Sequence, residues 1–201
     1  ALSTLTFGGD TSVVMEGGAT TGAKITGSAA LTLAGNVKVN DKGTGTDGAK
    51  IECPVNLGAT RTFTVADDGS SAPDLTISGI ISTGFGIVKA GAGELVLSGN
   101  NTYSGSTTIN AGTVLISASE RISNSSQIIL GGGTFSTGAT SGYSEDVGTL
   151  QLTDHSTINM GTGVHTLTFD NSSLVGWTAG KVLTITGWTG IIETFGGGDA
   201  G

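Results

Sequence analysis

Basic residues are scarce in this chain: eight Lys and Arg stand against sixteen Asp and Glu, giving a formal net charge of −8 and an isoelectric point near 4.4. Binding a phosphate backbone takes a face of Lys and Arg. Here the basic residues stand singly from Lys24 to Lys181, so no nucleic acid partner is expected. The acidic excess is just as dispersed and reads as a contribution to solubility. The single cysteine, Cys53, leaves no partner for a disulfide within the chain. Its place before Pro54, in an alternating apolar run, predicts a buried and inert thiol. Two prolines exclude a collagen-like or proline-rich rod. No apolar run approaches the roughly 20 residues that a membrane-spanning helix needs.

Glycine takes the place of what is missing, with 36 of 201 residues, while charged residues fall to 12%. Average domains carry roughly 7% glycine and about 25% charge. The mean hydropathy is still positive, at +0.19. Apolar residues arrive in short, evenly distributed runs, so there is something to bury along the whole length and disorder is not the reading. A glycine-rich background costs a helix about 1 kcal/mol per Gly, and Ser119 to Gln127 is too short and serine-rich to form one. The chain reads as one all-β domain over residues 1–201 with no significant helix.

The recurrent unit is Leu-x-apolar followed by small or turn residues. It occurs as Leu5-Thr-Phe7, Leu31-Thr-Leu33, Leu75-Thr-Ile77, Leu95-Val-Leu97, Leu150-Gln-Leu152, Leu167-Thr-Phe169 and Leu183-Thr-Ile185. Successive leading leucines lie 26, 44, 20, 55, 17 and 16 residues apart, with further short strands inside the two long gaps. An irregular repeat of about 16–26 residues is the length of one coil of a single-stranded parallel β-helix, a β-solenoid. In such a fold each strand pairs with its equivalents about 4.8 Å above and below. Alternation in Leu-Thr-Leu then points both leucines inward and leaves threonine outside. Loops are expected at Asp41 to Gly48, Asp67 to Asp74 and Gly138 to Asp146. Asn36 and Asn100, each following a glycine, are candidates to bond corner backbone.

The most regular stretch runs from Gly84 to Ser117. It contains Lys89-Ala-Gly-Ala-Gly93, then Leu95-Val-Leu-Ser-Gly-Asn-Asn-Thr-Tyr-Ser-Gly105, then Thr107-Thr-Ile-Asn-Ala-Gly-Thr113. This closely resembles the autotransporter-associated β-strand repeat, whose pattern is roughly KxGxGxLxLSGxNxYxGxTxxxxGxL. Glu94 and Val114 depart mildly from it, where the family favours Thr and Leu. The resemblance implies a bacterial cell-surface or secreted rod, of the kind that forms the stalk-like passenger of autotransporters. It does not extend to an outer-membrane barrel, which would need roughly ten-residue alternating segments that this sequence does not contain.

Sites of chemistry are sparse. Gly43-Thr-Gly-Thr-Asp-Gly48 satisfies GxGxxG, but a strand-like Ala49-Lys-Ile-Glu follows where a phosphate-binding loop needs a helix. His155 and His165 are the only histidines and make a weak metal pair even as neighbours on adjacent coils. Asp67-Asp68-Gly69 and Glu145-Asp146 offer hard oxygen donors without the alternating series of a calcium loop. A polysaccharide-cleaving site would need acids meeting across coils, with Glu145, Asp146, Asp154 and Asp170 as its candidates. No cofactor is expected, and the chain is not expected to be an enzyme.

Both ends read as strands without a polar cap: Ala1-Leu-Ser-Thr-Leu-Thr-Phe7 and Val182-Leu-Thr-Ile-Thr-Gly-Trp-Thr-Gly-Ile-Ile192. The start at Ala1 fits a mature chain or a trimmed piece equally. Uncapped solenoid edges invite another chain. The expectation is a secreted structural subunit that stacks head to tail, or exchanges a terminal strand, into a filament. Its interface would comprise Ala1, Leu2, Leu5, Phe7, Leu183, Ile185, Trp188, Ile191, Ile192 and Phe195, and its partners would be copies of itself. The alternative is an excised passenger that binds surface glycans, with Trp177, Tyr143 and the Gly138 to Asp146 loop as its binding face.

Overall fold

In the computed structural model, residues 4–6, 13–16, 22–40, 48–70, 73–138 and 140–189 are described, residues 4–6 and 13–16 as isolated strands. The chain winds into a β-solenoid of about seven turns, with no helix among these residues. Every strand pair is parallel, as winding in one sense requires.

Each coil has three faces. The first carries Thr4–Thr6, Ala30–Thr32, Val55–Asn56 and Ile81–Ser82, and resumes later with Ser144–Val147 paired to Thr166–Phe169. The second is a seven-stranded sheet running from Val13–Glu16 to Leu150–Leu152. The third is eight-stranded, from Lys24–Ile25 to Leu183–Thr186.

The core is a set of ladders along the solenoid axis. On the second face the inward rungs are Val13, Val37, Phe63, Lys89, Ile109, Leu130 and Leu152. On the third they are Ala49, Leu75, Leu95, Val114, Phe135, Ile158 and Ile185. Alternation does what period-two side chains must: Leu31 and Leu33 are fully buried, as are Leu75 and Ile77, and Leu95 and Leu97. The threonines between the first two pairs face outward at intermediate exposure. Thr113, Thr134, Thr157 and Thr184 form an outward threonine ladder on the third face.

Two sequence expectations are corrected. Rungs on the third face are 19 residues apart between Leu95 and Val114 and 27 between Ile158 and Ile185. The shorter intervals of 16 and 17 are not coils: Leu150, Leu167 and Leu183 lie on the second, first and third faces in turn. The Leu-x-apolar unit is a strand signature common to all faces, so its spacing mixes whole coils with part-coils. Second, the expected loop at Gly138 to Asp146 ends early, because Ser144–Val147 is a strand with Glu145 and Val147 inward. A carboxylate at an inward position broke the apolar pattern that would have marked it.

Candidate functional site

Two places carry the polar structure that could matter for function: the coil around Lys89 to Tyr103, and the last described coil.

Lys89 occupies an inward rung between Phe63 and Ile109 and is fully buried. Its ammonium reaches the corner between the second and third faces. There it donates to the carbonyls of Ala90 at 2.9 Å, Gly91 at 2.7 Å and Ala111 at 3.2 Å. Burial pushes its pKa down to about 8, against the opposing pull of Asp74. Asp74 accepts from the amides of Asp68 and Glu94 at 3.0 and 2.7 Å. The Glu94 carboxyl is in turn pushed up by burial and by Asp74. The corner has no room for a side chain: a Cβ at Gly112, where φ is +64°, would lie 2.4 Å from the Gly93 carbonyl oxygen and 2.7 Å from Lys89 Nζ. One lysine thus bonds the carbonyls of two successive corners, and glycine lets them approach.

Beyond Ile81–Ser82 the first face has no strand for two coils, and side chains bridge the gap. Asn101 is buried; its Oδ1 accepts from the Ile81 amide at 2.8 Å and its Nδ2 donates to the Arg121 carbonyl at 2.7 Å. Its amide supplies one rung in each direction. Tyr103, fully buried, bonds Thr107 Oγ1 at 2.7 Å; Thr107 meets Ser126 Oγ at 3.0 Å, and Ser126 donates to the Gly105 carbonyl at 2.8 Å. Burial pushes the Tyr103 phenol above its ordinary range. These contacts account physically for the fixed Lys, Gly, Asn, Tyr and Thr of the pattern.

The comparison with known families agrees with this geometry. Residues 87–116 match the passenger-associated-transport-repeat. No curated protein and no solved structure matches the chain. The transport repeat and the solenoid fold together fit an autotransporter passenger-type protein, and the repeat points to a secreted or surface setting. The transport repeat spans about one and a half coils, starting on the second face and ending on the third.

The last described coil differs. Leu183–Thr186 pairs on one side with Ser156–Asn159 and on the other with no strand among the described residues. Leu183 is half-buried, and Ile185 and Trp188 are 48% and 51% exposed. Trp188 lines a cavity of about 190 Å³ with Met160, Val164 and His165. Of the expected interface, Leu183, Ile185 and Trp188 therefore lie together at this edge. Leu5 is described only as a strand residue pairing with Leu31. Ala1, Leu2, Phe7, Ile191, Ile192 and Phe195 lie outside the described residues.

The remaining candidates separate. Trp177 donates its Nε1 to the Leu150 carbonyl at 3.1 Å, tying the last coil to the one before it. Tyr143 meets the His165 ring edge-on at 6.0 Å. His155 and His165 each spend Nδ1 on a backbone amide, of Val182 and Tyr143 respectively. Asn36 accepts from the Thr62 amide, one coil on, as expected of a corner asparagine, whereas Asn100 is engaged by the Arg121 guanidinium. Cys53 is buried, and burial raises its thiol pKa. Gly48 leads directly into the strand Ala49–Ile51, and the rest of the GxGxxG run lies outside the described residues. Among the described residues, Asp67, Asp68 and Asp74 form the one group of three or more such side chains close enough to share an ion, and Glu145, Asp146, Asp154 and Asp170 are not part of it. Asp154 instead pairs with Lys181 at 2.8 Å.

Sequence reasoning missed the roles of Lys89, Asn101 and Glu145. The signal for two of them was parity. Ile87-x-Lys89 and Glu145-x-Val147 place the charged residue on the same side as an apolar one.

Proposed function

We propose that this chain is a structural rod segment of a secreted or cell-surface passenger-type protein, without catalysis of its own, and that it is extended head to tail by another copy at its last coil. The observation that carries the reading is the edge formed by Leu183, Ile185 and Trp188. An inward ladder that is sealed elsewhere is left half-exposed there. Among the described residues no strand pairs with the outer edge of Leu183–Thr186, which is the side a further parallel strand would take. A surface on one end meeting a different surface on the other makes an open, propagating contact. The core is filled by ladders, and the buried side chains of Lys89, Asn101 and Glu145 are spent on backbone groups, which supports a structural rather than a reactive role. The glycan-binding alternative is less well supported, since Trp177 Nε1 is spent on the Leu150 carbonyl and Tyr143 packs edge-on against His165.

Electron microscopy of the purified chain, with light scattering across a concentration series, tests this. Fibres of constant width that shorten in Ile185→Lys are the expected result. Single rods of constant mass at every concentration would overturn the assembly, and a mass that grows equally in Ile185→Lys would place the contact elsewhere.

A further inference from the structure

We propose that Glu145 is a proton-sensitive latch in the wall of the solenoid: it closes the first face where that face has no strand, and its ionisation loosens the seam between the coil of Arg121–Ile122 and the coil of Ser144–Val147. The reading is independent of whether rods stack.

The geometry is specific. Glu145 is fully buried, and its two oxygens accept from two consecutive amides of the preceding coil, Arg121 at 2.8 Å and Ile122 at 2.6 Å. Parallel pairing would normally satisfy such amides with backbone carbonyls, but no strand is present over residues 117–127. The other bonds across the seam flank this one. The Glu120 amide donates to the Ser144 carbonyl at 3.1 Å, the Ser144 amide to Ser119 Oγ at 2.9 Å, and the Asp146 amide to Glu120 Oε1 at 3.3 Å. Glu120 sits at φ +53°, a left-handed conformation uncommon for a residue with a side chain, so the turn into the seam is bent to present these amides.

The charged surroundings leave the carboxylate without a bonded cation. Arg121 directs its Nη1 to Asn100 Oδ1 and to the Glu120 carbonyl. Glu120 adds a like charge, the Arg121 guanidinium attracts the anion without bonding it, Asp146 points outward, and Tyr103 contributes a phenol that stays protonated. From the following coil, the ladder partner is Leu167. Burial outweighs the two amides, and the Glu145 pKa is pushed up to about 7.

The sign follows from linkage. Once the seam opens and the carboxyl meets water, it titrates in the ordinary range near 4.3. Between about pH 4.3 and 7 the closed seam holds a proton that the open seam releases, so opening is favoured by rising pH. The effect is about tenfold per pH unit in that window and levels off above it. Asn101 makes the equivalent closure two coils earlier with an uncharged amide, so the Ile81 amide it holds serves as an internal control.

Hydrogen-exchange protection factors of the Arg121, Ile122 and Ile81 amides, measured from pH 5 to 8, test the latch. The expected result is protection of Arg121 and Ile122 that falls about tenfold per pH unit up to about pH 7, with Ile81 flat. In Glu145→Gln all three should be flat. A parallel pH response of all three amides in the wild type overturns the latch, whether or not the variant folds. So does a fall that persists in a folded Glu145→Gln.

Discussion

The transport-repeat coil and the last described coil are written with the same strand unit and end in different states. Leu95 and Leu97 are fully buried, while Leu183 is half-buried and Ile185 is 48% exposed, although Leu95 and Ile185 stand on the same ladder of the third face. Nothing in the two tripeptides accounts for this. A solenoid coil has no core of its own, and its inward residues are sealed only by the coils on either side. In this molecule burial is a property of position along the axis, and the same leucine pattern therefore means packing in one place and an open edge in another.

The sharpest way to break that comparison is matched truncation. Leu95→Ala opens a cavity enclosed by rungs on both sides and should cost about 2–5 kcal/mol. Ile185→Ala removes atoms that already face solvent in part, and should cost about 1 kcal/mol. Urea titration of both variants under identical conditions checks the ratio. Equal costs would mean that the last coil is sealed in solution, by a further coil or by another copy.

A second pair separates crowding from backbone conformation. Gly112 and Gly180 both sit at positive φ, +64° and +76°, but a Cβ at Gly112 would strike the Gly93 carbonyl and Lys89 Nζ, while nothing lies within 4 Å of one at Gly180. Gly180→Ala should cost only the left-handed penalty, about 1–2 kcal/mol. Gly112→Ala adds overpacking to it, for about 2–4 kcal/mol in all. Differential scanning calorimetry should show the larger fall in Tm for Gly112→Ala. Matching shifts would show that the corner around Lys89 can yield.

What the sequence made legible follows from the same contrast. Parallel winding, inward leucines and outward threonines were readable because period-two alternation is local and each strand repeats it. Coil length was read less well, because seven Leu-x-apolar units are shared among three faces and their spacing does not say which face each occupies. The polar closures were the hardest to see. Asn101 is preceded by the exposed Asn100, and composition does not distinguish them; only the coil register decides which reaches Ile81 and Arg121. Glu145 stands on an inward rung, where its carboxylate makes the strand look like a loop. The ten interface residues expected at the two ends were read from uncapped strands, and Leu183, Ile185 and Trp188 are those whose side chains the structure describes.

The smallest expected effect concerns how the last coil is held to the one before it. Trp177 is 46% exposed, so its ring is only partly buried, and its Nε1 donates to the Leu150 carbonyl. Gln151 adds a bond to the Gly176 carbonyl beside it, and the Thr178 amide adds one to the Leu152 carbonyl. The second face continues here through such single bonds in place of a strand. Trp177→Phe keeps an aromatic ring and deletes one donor, so the expected loss is about 0.5–1.5 kcal/mol. That loss should be confined to the last coil. In native-state hydrogen exchange the Thr178 amide should lose protection while the Thr107 amide, bonded to the Gln127 carbonyl in the middle of the rod, keeps it. Loss at both amides would mean that the last coil and the transport repeat open as one unit, and the exposed edge would then report on the whole rod.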